Sequence, residues 1–432
     1  MKKINTSPLS GTQELLPEQQ AIFNSLKQNI ANTYAHHGYL SIETPIIDRS
    51  EILFAKAGGD TEKQIYKVIK TTESADSADQ ALRFDHTVPL ARYVVEHENN
   101  LTFPFKVTQI NRNFRGERAQ KGRFREFYQC DVDIIGRGEL KIAYDADVII
   151  TLLDALKTFN LKTPILARVS NRKILTGLIE SMDLTDKSKD IYSIIDHSEK
   201  VAPETTEKSF HEIGLTEEEV AKMLKFISIH GTKNTVITAL HALNVDNPTF
   251  SQGVDELDYV LSLVESTVDP SELSADMTIV RGLDYYTGTV FEFILPDYKQ
   301  IGSICGGGRY ENLTQYFTDQ PFPGVGGSIG LTRLFYVLNE YQLIPTTTDN
   351  LLDYSIIPIT SNEFSAAFDL AKKLQTANHT ATVVLTDKKL GDKLSYAAKL
   401  AKNGIVIGES EVKTGAYKVK DFTSGEEKEL SI

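Results

Sequence analysis

The feature that most constrains this chain lies between residues 103 and 136. Two stretches, 103–111 (FPFKVTQIN) and 124–136 (FREFYQCDVDIIG), alternate apolar and polar residues around a segment rich in Gly, Arg and Lys. Alternation of period two sends successive side chains to opposite faces of a strand. Two such strands joined by a charged turn predict a long antiparallel hairpin.

The turn and its flanks carry a dense constellation. Residues 112–129 (RNFRGERAQKGRFREFYQ) hold Arg112, Arg115, Arg118, Arg123 and Arg125, interleaved with Glu117, Glu126 and the aromatic Phe124, Phe127 and Tyr128. A guanidinium fork binds phosphate or carboxylate through two parallel bonds. On a strand Arg123, Arg125, Phe127 and Gln129 share one face, and a triphosphate with a purine fits that face. The competing reading is a solvated hairpin laced by Arg–Glu pairs. The residue types alone leave both open.

The remaining chain reads as follows. Residues 18–37 have helical spacing of apolar residues, with Pro17 at the start, and 39–45 alternate as a strand. A polar hairpin tip or loop is expected over 71–80. A helix is expected over 139–159, and a largely helical insertion over 171–265. Strands are expected at 278–280, 289–295 and 303–304, and a glycine-led helix over 325–342. Past Pro345 the alternation strand 354–359, helix 362–377, strand 381–386, helix 389–402, strand 404–408 predicts a small α/β domain.

Of 432 residues, 46 are Lys or Arg and 59 Asp or Glu, so the formal net charge is −13. That excludes a general nucleic-acid binder but not a local basic patch. Residues 350–432 hold 11 Lys against 11 Asp and Glu, so the excess acid lies before them. Cys130 and Cys305 cannot build a disulfide framework, and neither has a metal-spaced partner. A reducing compartment is expected. Residues 1–5 (MKKIN) open no apolar run, so no signal peptide is expected, and no window reaches the roughly 18 apolar residues of a membrane helix, so no span is expected.

Four more segments can carry chemistry. Residues 83–89 (RFDHTVP) end a strand in acid, imidazole and hydroxyl; Asp85 suits an amine, and His86 alone reads as structural. Residues 281–288 (RGLDYYTG) suggest a pocket wall, or a turn with core tyrosines. Residues 306–310 (GGGRY) allow close backbone approach to a ligand, but neither a Walker loop nor a dinucleotide fingerprint is present. Residues 324–334 (GVGGSIGLTRL) run glycines into an apolar helix bearing Arg333.

Taken in order, these five segments resemble the histidyl-tRNA synthetases, a family of class II aminoacyl-tRNA synthetases. RGLDYYTG and GGGRY are the specific marks. Residues 407–412 (IGESEV) and 419–425 (VKDFTSG) are similar to the family's anticodon-binding domain. The resemblance implies an α+β fold: an antiparallel sheet flanked by helices (residues 1–170 and 271–345), a helical insertion (171–270) and a C-terminal α/β anticodon-binding domain (346–432). It implies a cytoplasmic homodimer with Ile42–Pro45 at the interface. The implied reaction joins histidine and ATP, with Mg2+, into histidyl-adenylate and passes histidine to the 3′ end of its tRNA.

It also implies roles. Arg115 holds the ATP α-phosphate, and Arg281 sits at the reacting carboxylate and phosphate. Glu117 and Arg123 contact adenine and the outer phosphates, Phe127 lies under adenine, and Arg333 faces the nucleotide from the other side. Asp85, Thr87 and Gln129 take the α-amino group; Asp133, Tyr285, Tyr286 and Tyr310 take the imidazole. Some bacterial relatives carry Glu in the places of Asp85 and Asp133. The rival is the paralogue that regulates ATP phosphoribosyltransferase; a histidine or nucleotide sensor without ligase activity is the other. The paralogue generally lacks the C-terminal domain and loses catalytic arginines, whereas Arg115, Arg281 and Arg333 stand here.

Overall fold

The computed structural model describes residues 3–55, 62–72, 79–118, 121–280, 286–311, 313–345 and 352–430. They divide into two units, Met1–Glu14 with Leu26–Ile344, and Leu15–Ser25 with Pro345–Ile432.

The larger unit is built on a nine-stranded sheet. Helix α1 (Pro17–His36) leads to β1 (Leu40–Ser41), β2 (Ile47–Arg49) and the short α2 (Ser50–Phe54). Next come β3 (Lys67–Val68), β4 (Gln80–Leu82) and α3 (Thr87–Glu96). The long hairpin forms as expected from β5 (Phe105–Phe114) and β6 (Glu126–Ile135), paired from Phe105↔Ile135 to Phe114↔Glu126. Helix α4 (Ala143–Lys157) then covers the sheet, and β7 (Leu166–Asn171) returns to it. The insertion is helical, with α5 (Arg172–Glu180), α6 (Ser188–Ser198), α7 (Pro203–Glu212), α8 (Glu217–Ile227), the short β8 (His230–Gly231), α9 (Lys233–His241) and α10 (Pro248–Glu265).

Strands β9 (Leu273–Asp276), β10 (Thr289–Ile294), β11 (Cys305–Tyr310) and β12 (Gly324–Ile329) complete the sheet, and α11 (Leu331–Glu340) follows. The order is β1-β5-β6-β12-β11-β10-β7-β9-β8. Only the β1–β5 and β7–β9 pairs are parallel. Strands β2, β4 and β3 form a separate small sheet.

Several expectations shift. Residues 278–280 and 303–304 form no strand; β9 lies just before the first and pairs with β7, and β11 begins just after the second. The expected strand over 39–45 is cut to two residues. Both glycine runs, read as loops or helix leads, are strands in the middle of the sheet. Of the hairpin tip expected over 71–80, residues 73–78 lie outside the described residues.

The core lies between this sheet and its helices. Ile30 and Tyr34 of α1, and Val148, Ile149 and Leu152 of α4, are fully buried. Two arginines are buried with them. Arg309 pairs with Asp145 at 2.7 Å. Arg83 donates to the carbonyl oxygens of Thr44 (2.7 Å) and Arg112 (2.7 Å). These bonds tie the end of β4 to β5 and so aim the residues after Arg83, Asp85 among them.

The smaller unit contains β13 (Leu352–Pro358), α12 (Phe364–Thr376), β14 (Ala381–Val383), α13 (Leu390–Ala397), β15 (Ala401–Ile407), α14 (Glu409–Thr414), β16 (Lys418–Asp421) and β17 (Glu427–Glu429). Its sheet order is β14-β13-β15-β16-β17, parallel in the first three strands and antiparallel after. Ile356, Ile405 and Ile407 pack against Ala367, Leu370 and Leu374 of α12.

Candidate active site

Strand β6 sets the frame. Gln129, Asp131 and Asp133 alternate along it and so share a face. Its neighbour β12 sets Gly326 opposite Asp133 and Ser328 opposite Asp131. Beyond, β11 sets Gly308 opposite Gly326 and Gly306 opposite Ser328. These glycines form the floor on which larger side chains lie. A Cβ on Gly326 would meet Asp133 Oδ1 at 2.0 Å, and one on Gly324 would meet the Tyr310 ring at 2.4 Å. Interior glycine weakens a strand unless something approaches closely; here acid and tyrosine do.

Above this floor is a cavity of about 280 Å³ lined by Asp85, Thr87, Arg115, Gln129, Asp131, Asp133, Tyr286 and Tyr310, with Gly306, Gly326, Gly327 and Ser328. Tyr310, 2% exposed, donates its hydroxyl to Asp133 Oδ1 at 2.7 Å. Burial pushes the Asp133 carboxyl well above the usual carboxylate range; the Tyr310 hydrogen bond opposes the shift, while the Asp131 and Asp85 charges add to it. Burial likewise raises the Tyr286 and Tyr310 hydroxyls, so both stay protonated donors. Asp85 Oδ1 accepts from the backbone N–H groups of Thr87 (3.1 Å) and Val88 (3.2 Å) at the start of α3. A carboxylate there is stabilised by the free N–H groups of the helix end.

Arg115 joins this cavity to a second. Its guanidinium lies 4.3 Å over the Phe84 ring and 5.0 Å from the Phe127 ring. Burial lowers its pKa, and the Asp85 and Glu117 carboxylates work against that; a guanidinium stays charged regardless. The second lobe, about 400 Å³, is lined by Arg115, Glu117, Arg123, Phe124, Phe127, Gln129 and Arg333 with two glycines. Arg123 lies 3.5 Å from Glu117. A third lobe of about 200 Å³ runs past Ile301, Cys305 and Ser328 to Arg333, whose Nη2 donates to the Ile301 carbonyl at 2.9 Å. Gln129 lines all three lobes.

Both readings of the arginine-rich turn therefore hold, for different residues. Arg115 and Arg123 face the cleft. Arg112 pairs with Glu126 at 3.1 Å and lies over Tyr128. Arg125 does not join Arg123 and Phe127 on the cleft face; it donates to the carbonyl of Glu117 at 3.0 Å and braces the turn. Its side departs from the alternation because β6 begins only at Glu126.

The structure thus brings together Asp85, Thr87, Arg115, Gln129, Asp133, Tyr286 and Tyr310 in one lobe, and Arg115, Glu117, Arg123, Phe127 and Arg333 in the next. Arg281 and Tyr285 lie outside the described residues. Sequence reading missed Asp131 and Ser328, although the spacing Gln129-x-Asp131-x-Asp133 already placed the acid on the cleft face. His86, read as structural, is fully buried with Nδ1 2.9 Å from Asp131 Oδ2. No helix among the described residues is long and apolar enough to cross a membrane.

Comparison with known proteins identifies the family. The family model described as "Histidyl-tRNA synthetase" matches residues 11–334, and one described as "Anticodon binding domain" matches 353–432. A protein of Clostridium tetani named histidine–tRNA ligase is 43% identical over 100% of this chain and 98% of its own length. One of the same name from Clostridium acetobutylicum is 41% identical over 100% and 99%. The crystal structure of histidyl-tRNA synthetase from Nostoc sp. PCC 7120 superposes with a TM-score of 0.90 at 34% identity, covering 99% of this chain and 97% of that one. On the sequence and the fold alike, the chain belongs to the histidyl-tRNA synthetase family.

Proposed function

We propose that the lobes of the cleft divide the activation of histidine between them. Charging tRNA with histidine in translation is the function of this family, and the activity is that of a ligase using ATP. In our reading the carboxyl-bearing lobe takes L-histidine. Asp133, braced by Tyr310, accepts an imidazole N–H, and Tyr285 and Tyr286 complete that pocket. Asp85, Thr87 and Gln129 hold the α-amino group. A pocket built to pair ring nitrogens rejects amino acids lacking them, because its buried polar groups are then left unpaired.

ATP takes the arginine lobe. Phe127 lies under adenine, Glu117 and Arg123 contact adenine and the outer phosphates, and Arg333 faces the nucleotide from the other side. Mg2+ enters with ATP as part of the substrate. The histidine carboxylate attacks the α-phosphorus, the bond to pyrophosphate breaks, and the mixed anhydride histidyl-adenylate forms. Arg115 and Arg281 hold fixed positive charge where negative charge develops, without moving a proton. The 3′-terminal hydroxyl of the histidine tRNA then attacks the carbonyl and releases AMP. Residues 346–432 read the anticodon. The enzyme works in the cytoplasm as a homodimer, a pairing supported by the exposed apolar Leu40, Ile46 and Ile47 beside the segment 42–45.

The observation that carries this reading is the Asp133–Tyr310 pair on the floor of a cavity that continues, through Gln129 and Arg115, into the arginine lobe. The test is ATP–pyrophosphate exchange with each of the twenty amino acids. Exchange with histidine alone is expected. Histidine binding without exchange would favour the regulatory paralogue or a sensor.

A further inference from the structure

The floor of the cleft holds a line of hydrogen bonds that substrate binding alone does not explain. His86 Nδ1 lies 2.9 Å from Asp131 Oδ2. Ser328 donates its hydroxyl to Asp131 Oδ1. Gln129 Nε2 donates to Ser328 Oγ at 2.8 Å, and Asn113 Nδ2 donates to Gln129 Oε1 at 2.9 Å. Asp131, His86 and Asn113 are buried.

Each bond in this line has a direction. A carboxylate only accepts, so both the imidazole Nδ1 and the Ser328 hydroxyl must donate to Asp131. Once its proton is committed, Ser328 can only accept from the next group. Gln129 must therefore turn its nitrogen toward Ser328 and its oxygen toward Asn113. Without Asp131 nothing in this line chooses between the two orientations of the Gln129 amide, which are nearly equal in shape. That amide borders all three lobes.

We infer that Asp131, held by His86 and acting through Ser328, is a positioning residue that fixes the direction of the Gln129 amide in the cleft. The inference rests on the histidine-activating reading for its ligand. Asp131 lines the cavity, but its effect passes through Gln129. Replacing Asp131 by Asn keeps its size; with the amide oxygen accepting from His86 Nδ1, the amide nitrogen faces Ser328, a donor in place of an acceptor. The Ser328 proton then turns outward, Gln129 meets it with oxygen, and the amide reverses. Asn113 can follow, because its Oδ1 is buried and without a hydrogen-bond partner among the described residues.

The test is a double-mutant cycle on the full chain, reading histidine affinity by titration calorimetry. Asp131→Asn is expected to weaken histidine binding about tenfold, the scale of one hydrogen bond to a charged group. In a Gln129→Ala background the same change is expected to cost less than about twofold, since there is no amide left to turn. Ser328→Ala is expected to reproduce the loss and Ser328→Thr, which keeps the hydroxyl, to restore affinity. These two variants carry the test if Asp131→Asn does not fold. Equal losses in both backgrounds, or no loss with Gln129 present, would overturn the inference. A wild-type chain that binds a different amino acid would overturn the histidine reading instead, and the same cycle run with that amino acid would still decide the role of Asp131.

Discussion

The two principal lobes of the cleft are built on different physics. In the carboxyl-bearing lobe Tyr310, Asp131 and Asp133 are 2%, 5% and 7% exposed, and each already has a partner inside the protein. In the arginine lobe the Arg123 and Glu117 side chains are 61% and 23% exposed and stand 3.5 Å apart. The first lobe is rigid because moving any group would leave another buried and unpaired. The second keeps long, solvated side chains that adjust at small cost. A small rigid ring suits the first arrangement and a flexible, highly charged nucleotide suits the second. In the proposed division of the cleft, specificity belongs to the buried lobe and the exposed lobe supplies charge.

The largest blow to this contrast is a methyl group on the floor. Gly326→Ala puts a Cβ within 2.0 Å of Asp133 Oδ1 and 2.7 Å of the Val132 carbonyl. The acid must leave its place against Tyr310. A misplacement of this kind costs about 10²-fold in rate, and that loss is expected in histidine-dependent exchange, with ATP affinity unchanged. Steady-state exchange and nucleotide titration together check it. A matching loss of ATP affinity would mean that the lobes are not separable.

How much of this was legible in the sequence differs between the same two regions. Most of the arginine lobe lies along one alternating hairpin, so Arg123 and Phe127 follow from its spacing, whereas Arg115, Glu117 and the distant Arg333 are given by the family resemblance. The buried lobe is assembled across β6, β12, β11 and the start of α3, whose adjacency no local pattern states. Its floor misled most: glycine is a poor strand former, so 306–308 and 324–327 read as loops or a helix lead. They are central strands because Asp133, Tyr286 and Tyr310 need the space of a side chain. Asp131 is legible only as a strand position: its period-two spacing between Gln129 and Asp133 puts it on the same face, but no motif gives it a role. In the smaller unit, the α/β alternation was legible through β15, but the β16–β17 hairpin was not, its strands being short, β16 half-buried and β17 exposed.

A smaller effect sharpens the contrast. Tyr310→Phe removes one hydroxyl and leaves the ring on its glycine. The histidine KM is expected to rise about tenfold, the worth of one hydrogen bond to a charged acceptor, with the ATP KM unchanged. The pH dependence follows with a definite sign. Asp133 must be ionised to accept an imidazole N–H. Burial already holds its pKa up, and the Tyr310 hydrogen bond holds it down. Without that bond the pKa climbs further, so histidine affinity on the acid side fails at a higher pH than in the wild type. An acid limb that stays put would show that another group sets it.

The smallest expected effect lies in the exposed lobe. Arg123→Ala removes a guanidinium whose only described ion pair, with Glu117, is long and largely open to water. Exposed charge contacts are worth little, so the ATP KM is expected to rise about two- to fivefold, and the histidine KM not at all. Salt separates this from the previous case. The Debye length falls from about 8 Å at physiological ionic strength to about 3 Å at 1 M. The penalty for losing Arg123 therefore shrinks toward nothing as salt is added, because the wild type loses the same attraction. The penalty for losing the Tyr310 hydroxyl holds, because its partner is buried where ions do not reach. ATP and histidine KM values for both variants, taken across a salt series, test this directly. If the Arg123 penalty also persists at high salt, the nucleotide is gripped there by a desolvated contact, and the exposed lobe would have to be counted with the buried one.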